Sequence, residues 1–181
     1  MSIQIRPAFE TIALISLSGS IVKILIAYYS RTNNTDRIAQ SIAADCNADV
    51  LRIKDASSRS GAMGYFLSGR DAMFQRAGLI QKIDKDPAPY DLVILGTPVW
   101  AFSLSPPMRT FISEHKTKFN RVAFFCTEGG SGGQRVFTQM AQLIGKQPVA
   151  TLEVTENELK SGAELDKVKA FTESLGVRSV L

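Results

Sequence analysis

The sequence predicts a doubly wound α/β domain, a five-stranded parallel sheet covered on both faces by helices. Three observations carry this. Short apolar, β-branched runs alternate along the chain with longer segments whose apolar residues recur every three to four positions. The strand-like runs are apolar throughout, as strands buried on both faces must be. The loops that follow three of them are rich in hydroxyls, amides or glycine. In open parallel sheets, ligands bind beyond the carboxyl ends of the strands.

The elements follow in order. The segment IVKILIAYYS, ending at Ser30, reads as a buried strand. Ile38, Ala39, Ile42, Ala43 and Cys46 then mark one face of a helix. Val50 to Ile53 is a short second strand, and DLVILGTP, from Asp91, a third. Pro106 and Pro107 open a helix, since a first turn tolerates the missing N–H, with Met108, Phe111, Ile112 and His115 facing inward. RVAFFCTEGG, from Arg121, is the fourth strand running into a glycine-rich turn. The next helix buries Val136, Phe137, Met140, Leu143 and Ile144. Pro148 to Val154 is the fifth strand, and the last helix turns Leu165, Val168, Phe171, Thr172 and Leu175 to the core. Residues 1–20 read as a loosely held N-terminal extension, and residues 21–181 as the domain. Ser57 to Gly78, interrupted by three glycines, reads as a partly helical surface excursion.

Composition bounds the function. The 181 residues carry 21 basic and 17 acidic side chains, a net charge of +4. That modest excess suits an anionic ligand or an acidic partner, and no Arg-rich tract or zinc-finger spacing points to nucleic acid. No apolar run is long enough to span a bilayer, so no membrane insertion is expected. Cys46 and Cys126 lie far apart with no CxxC pair, which fits two reduced, packed thiols and a cytoplasmic setting. His115, the one histidine, is expected to pack near the end of its helix rather than to act in catalysis.

Three loops carry the candidate chemistry. In SRTNNT the hydroxyls of Ser30, Thr32 and Thr35 and the amides of Asn33 and Asn34 crowd a helix start. Free backbone N–H groups there favour an anion such as a phosphate monoester. One N-cap would account for one or two of these residues, not for five. GTPVWAFSLSPP places Trp100, the one tryptophan, at a strand end, where a flat ring can stack on a flat ligand. In CTEGGSGGQR four glycines within 129–133 let the backbone approach a ligand.

YYSRTNNT, LGTPVW and FCTEGGSGG together resemble the phosphate loop and the two ring loops of flavodoxins, and GYFLSGRDAM, from Gly64, resembles a segment of a flavodoxin-like subgroup. The resemblance runs from about Ile21 to Gly176. It implies a flavodoxin-like fold with strand order 2-1-3-4-5 and FMN as a non-covalent cofactor; flavodoxin is itself the reference case for this order. It implies Ser30, Arg31, Thr32, Asn33, Asn34 and Thr35 at the phosphate. Thr97, Pro98, Val99, Trp100 and Ala101 would flank one side of the ring. Thr127, Glu128, Gly129, Gly130, Ser131, Gly132 and Gly133 would flank the other. The family usually has glycine where Asn33 stands, and asparagine is the next most tolerant residue for a left-handed backbone. Electron-carrier flavodoxins are typically acidic, whereas this chain is basic. The expected activity is therefore an NAD(P)H-dependent reductase of quinones or similar small-molecule acceptors. The alternatives are a one-electron carrier serving a redox partner protein and a non-catalytic flavin-binding regulatory module. A receiver domain lacks its acidic residues here, with Tyr28, Tyr29 and Ser30 ending the first strand, and no GxxxxGK[ST] string supports a P-loop hydrolase.

Overall fold

The computed structural model describes residues 22–56 and 79–176. The expected extension over 1–20 and the excursion over 57–78, which includes Arg59, Arg70 and Arg76, lie outside the described residues. Five parallel strands form the sheet: β1 (Ile24–Tyr29), β2 (Asp49–Ile53), β3 (Leu92–Trp100), β5 (Arg121–Glu128) and β6 (Thr151–Thr155), in the order β2-β1-β3-β5-β6. A sixth, two-residue strand, β4 (Ser103–Leu104), folds back antiparallel on the end of β3. Without β4 the order is the expected 2-1-3-4-5.

Two cores cover the faces, because each strand's side chains alternate. Leu25, Ala27, Leu95, Phe124 and Cys126 pack with Met108 and Phe111 of α2 (Pro106–His115) and with Val136, Phe137 and Met140 of α3 (Gly133–Ile144). On the other face Ile26, Tyr28, Ile94 and Phe125 pack with Ile38, Ala39 and Ile42 of α1 (Asn34–Cys46) and with Val168 and Phe171 of α5 (Glu164–Ser174). The predicted inner faces are buried, or partly buried at Ala43, His115 and Leu143, with one exception. Leu165 is exposed in the first turn of α5, where its neighbour Glu164 is the buried residue, and the chain before it forms a separate short helix. A short α4 (Glu156–Ser161) begins at Thr155 with a capping box, in which Thr155 and Glu158 bond each other's backbone N–H. Gly162, at φ 82°, ends it and resets the helical phase before α5.

His115 stacks on Phe111 at 4.9 Å between ring centroids, and its Nδ1 meets the Phe111 carbonyl at 2.9 Å, a packing role. Both cysteines are free and buried. Burial pushes the Cys46 thiol up to about 11 and the Cys126 thiol higher, which leaves little thiolate for exchange chemistry. Among the described residues no helix is long and apolar enough to cross a membrane, and no cluster of three metal-ligating side chains occurs.

Candidate functional site

The three loops named from the sequence leave the carboxyl ends of β1, β3 and β5, neighbours in the sheet. They touch pairwise. The Thr35 and Thr127 hydroxyls share a hydrogen bond of 2.8 Å, joining the first loop to the third. The Arg31 guanidinium lies 5.9 Å from the Trp100 ring centroid, joining the first to the second. A Cβ on Gly132 would stand 2.9 Å from Val99 Cγ1 and 3.2 Å from the Phe102 ring, so the second and third loops close on each other there. Gly132 also has φ 120°, so only glycine meets both demands.

The first loop offers groups that could hold an anion. Asn33 sits at φ 67°, ψ −1°, the left-handed geometry its sequence position requires. It is the N-cap of α1, yet its side chain makes no cap bond. The first-turn N–H groups therefore keep the partial positive charge of a helix start. The Ser30 hydroxyl is buried with no hydrogen-bond partner among the described residues, at the edge of this loop. Leaving such a group unpaired costs roughly 1–3 kcal/mol, which a ligand oxygen would recover. Thr32 and Asn33 are exposed.

The second loop is a hairpin. Val99 pairs with Leu104 and Trp100 with Ser103, leaving Ala101 and Phe102 as a two-residue turn. Both have positive φ, 47° and 57°. Such turns favour Asn-Gly, and each ordinary side chain forced into them costs about 1 kcal/mol or more. Gln139 of α3 holds the strained tip: its Oε1 accepts from Ser103 Oγ at 3.0 Å, Leu104 N at 3.0 Å and Arg109 Nη2 at 3.2 Å. Trp100 is half-buried, edge-on to Tyr29 at 5.5 Å. Thr97 is fully buried with its hydroxyl 2.9 Å from Ser105 Oγ, and Phe102 is exposed.

In the third loop Gly129 and Gly130 are exposed and a Cβ on either would meet nothing within 4 Å, so packing does not demand glycine there. Gly133 is different, because its Cβ would stand 2.3 Å from Glu153 Oε1. Glu128 is buried and accepts from the Gly133 N–H at 2.8 Å, which ties the two ends of the loop and caps α3. Burial, then the hydrogen bond and charge of Glu153, push the Glu128 carboxyl above its ordinary range, against the pull of the Gly133 N–H and Lys167. A raised folded pKa means that its stability contribution is complete below the ordinary carboxyl range and is lost as pH rises through the folded value. Glu128→Gln keeps the acceptor and removes the charge. It is expected to melt above the parent at pH 7.5 and with it near pH 4, each ~1 kcal/mol being about 2–4 °C. A lower melting temperature at pH 7.5 would mean that the charged cap on Gly133 outweighs the repulsion.

Two concavities among the described residues, of about 280 and 300 Å³, contain no residue of the three loops. One lies by Val22, Asn47 and Tyr90, the other by Leu79, Thr110 and His115. Residues 23–173 match the family description Flavodoxin, most of the chain. The chain belongs to the flavodoxin family. Among solved structures, this flavodoxin-family chain is similar to a flavoprotein from Lactobacillus acidophilus in complex with FMN, at TM-score 0.65 and 21% identity over 78% of this chain and 99% of that one. A Bacteroides uniformis protein assigned as a flavoprotein gives 0.70 and 21% over 85% and 99%. Two-electron reduced Megasphaera elsdenii flavodoxin gives 0.53 and 18% over 84% and 98%. At these identities the likeness is one of fold. No curated protein sequence matches the chain.

Sequence reasoning missed Arg52, Gln139 and Glu153, which brace the flavodoxin loops from β2, α3 and β6. Nothing in their local sequence marks them, since each acts across a tertiary contact.

Proposed function

We propose that this flavodoxin-family chain binds FMN without a covalent bond and is an NAD(P)H-dependent reductase of quinones or similar acceptors. The observation that carries the FMN reading is the pairwise closure of the three loops around an uncapped helix start beside the Ser30 hydroxyl, which has no partner among the described residues. The residues fit the cofactor. Ser30, Thr32, Asn34 and Thr35 would donate to the phosphate, with Arg31 adding charge. Pro98, Val99, Trp100 and Ala101 would cover one side of the flavin ring. The open backbone of Gly129, Gly130 and Ser131 would offer N–H groups to its polar edge.

Bound FMN would supply a ring that takes hydride from NAD(P)H and passes two electrons on. The balance is one NAD(P)H and one proton consumed per quinone reduced to hydroquinone. The protein's part is to orient the ring, exclude water and set the surrounding charge. The excess of basic over acidic side chains, 21 against 17, favours an anionic donor and supports the reductase reading over the carrier. A reductase with a basic approach surface slows at high salt, as screening weakens its attraction for the dinucleotide.

The test has two stages. The purified protein is expected to bind FMN far better than riboflavin, and to oxidise NAD(P)H only when a quinone is supplied. Thr32→Ala should weaken FMN by roughly 1.5–3 kcal/mol, the range for a bond to a charged group, and leave riboflavin unchanged. Binding to neither flavin would overturn the FMN reading. FMN binding without NAD(P)H-driven turnover would favour the carrier.

A further inference from the structure

Arg52 lies on β2, paired in register with Tyr28 of β1, one residue before the last pair of that ladder. Its guanidinium reaches across the ladder to the first loop. Nη2 donates to the Ser30 carbonyl at 3.3 Å and to Asn33 Oδ1 at 3.2 Å, and Nη1 approaches Asp36 Oδ1 at 3.5 Å. Asp36 is held in turn by the Tyr28 hydroxyl, which Gln40 approaches at 3.5 Å.

The contact with Asn33 matters most. An asparagine at an N-cap ordinarily turns its side-chain oxygen onto the free N–H groups of the first turn. Those are the groups an anion at this helix start would use. Here the Asn33 oxygen faces Arg52, and the cap bond is absent. We propose that Arg52 is a positioning residue for the phosphate site: it draws the Asn33 amide away from the α1 N-terminus and keeps those N–H groups open to FMN phosphate. The inference rests on the FMN reading above. A glycine at position 33 would need no such restraint, having no oxygen to compete.

The same contacts support the loop's shape. The Ser30 carbonyl and the Asn33 side chain flank the turn at Arg31 and Thr32, so one guanidinium spans the loop. Arg52 is partly exposed, with 40% of its side chain accessible, so its direct charge on the phosphate is screened and its main effect runs through Asn33.

The test is a double-mutant cycle on Asn33 and Arg52, read as dissociation constants for FMN and riboflavin on the full chain. Arg52→Ala is expected to weaken FMN about five- to tenfold, the scale of one helix cap, and riboflavin less than about twofold. Asn33→Gly alone should bind FMN as tightly as the parent. Adding Arg52→Ala to it should cost little, because the competing oxygen is gone.

Equal losses for both flavins, or an undiminished Arg52→Ala effect in the Asn33→Gly background, would overturn the proposal. So would a selective loss of FMN in Asn33→Gly alone, since the asparagine would then be a ligand itself. That last arm does not depend on Arg52→Ala folding. A parent that binds FMN no better than riboflavin would instead overturn the phosphate-site reading.

Discussion

Arg37→Ala is expected to destabilise the protein by about 3 kcal/mol, near the lower end for removing one partner of a buried ion pair. Arg37 of α1 pairs with Glu164 at the start of α5 and donates to the Leu159 carbonyl at 3.1 Å. The arginine is 54% exposed and pays little for its place, whereas the Glu164 side chain is 1% exposed. Its second oxygen, Oε2, has no hydrogen-bond partner among the described residues. Removing Arg37 strands a carboxylate between two helices. The expected drop in melting temperature is about 6–12 °C for a chain of this length. Arg37→Ala/Glu164→Ala should recover much of it, because no buried charge then remains. The loss also bears on function, since α1 carries the first loop at its N-terminus, and saturating FMN should restore part of the stability by mass action. A shift below ~1 kcal/mol would mean that water reaches Glu164 once the arginine has gone.

Gly96→Ala is expected to cost about 3 kcal/mol, the upper end for overpacking a core. Gly96 pairs with Phe125 across β3 and β5, and the Phe125 ring lies over it. An added Cβ would stand 2.0 Å from ring Cζ and 2.3 Å from Cε1. The ring is fully buried and packs against the α1 and α5 face, so it has nowhere to turn. Phe125→Leu should relieve the clash, making the double variant more stable than the sum of the single losses predicts. The two strands part, just beyond this pair, into the second and third loops. Gly96→Ala protein that remains folded should therefore hold FMN more weakly. Urea unfolding with and without FMN reads both effects, and a loss under ~1 kcal/mol would show that the strands shift to admit the methyl.

Much of the architecture is legible in the local sequence for a physical reason: burial on both faces of a parallel sheet forces apolar runs that need no partner to be recognised. The buried faces of α1, α2 and α3 follow from spacing alone. Asn33 is legible too, because few residues tolerate its backbone geometry. The β3–β4 hairpin is not. Its turn residues, Ala101 and Phe102, lack the usual turn chemistry, and the turn exists because Gln139, far along the chain, holds it. The break between α4 and α5 turns on a capping box and one glycine.

The sequence by itself determined the alternation of strands and helices, the three loops at the sheet edge and the kinds of group they carry. These depend on period, composition and backbone tolerance, which act over a few residues. Only the tertiary structure decided how the loops close and which groups in them remain unpaired. Thr35 meets Thr127, Gly132 meets Val99 and Arg52 meets Asn33 because the strand order brings together residues 92, 33 and 19 positions apart. The Glu128–Glu153 contact arises the same way, from two adjacent strands. Hydrogen bonds and like-charge contacts act over a few ångströms of space, and a chain carries no local record of which distant side chain will arrive there.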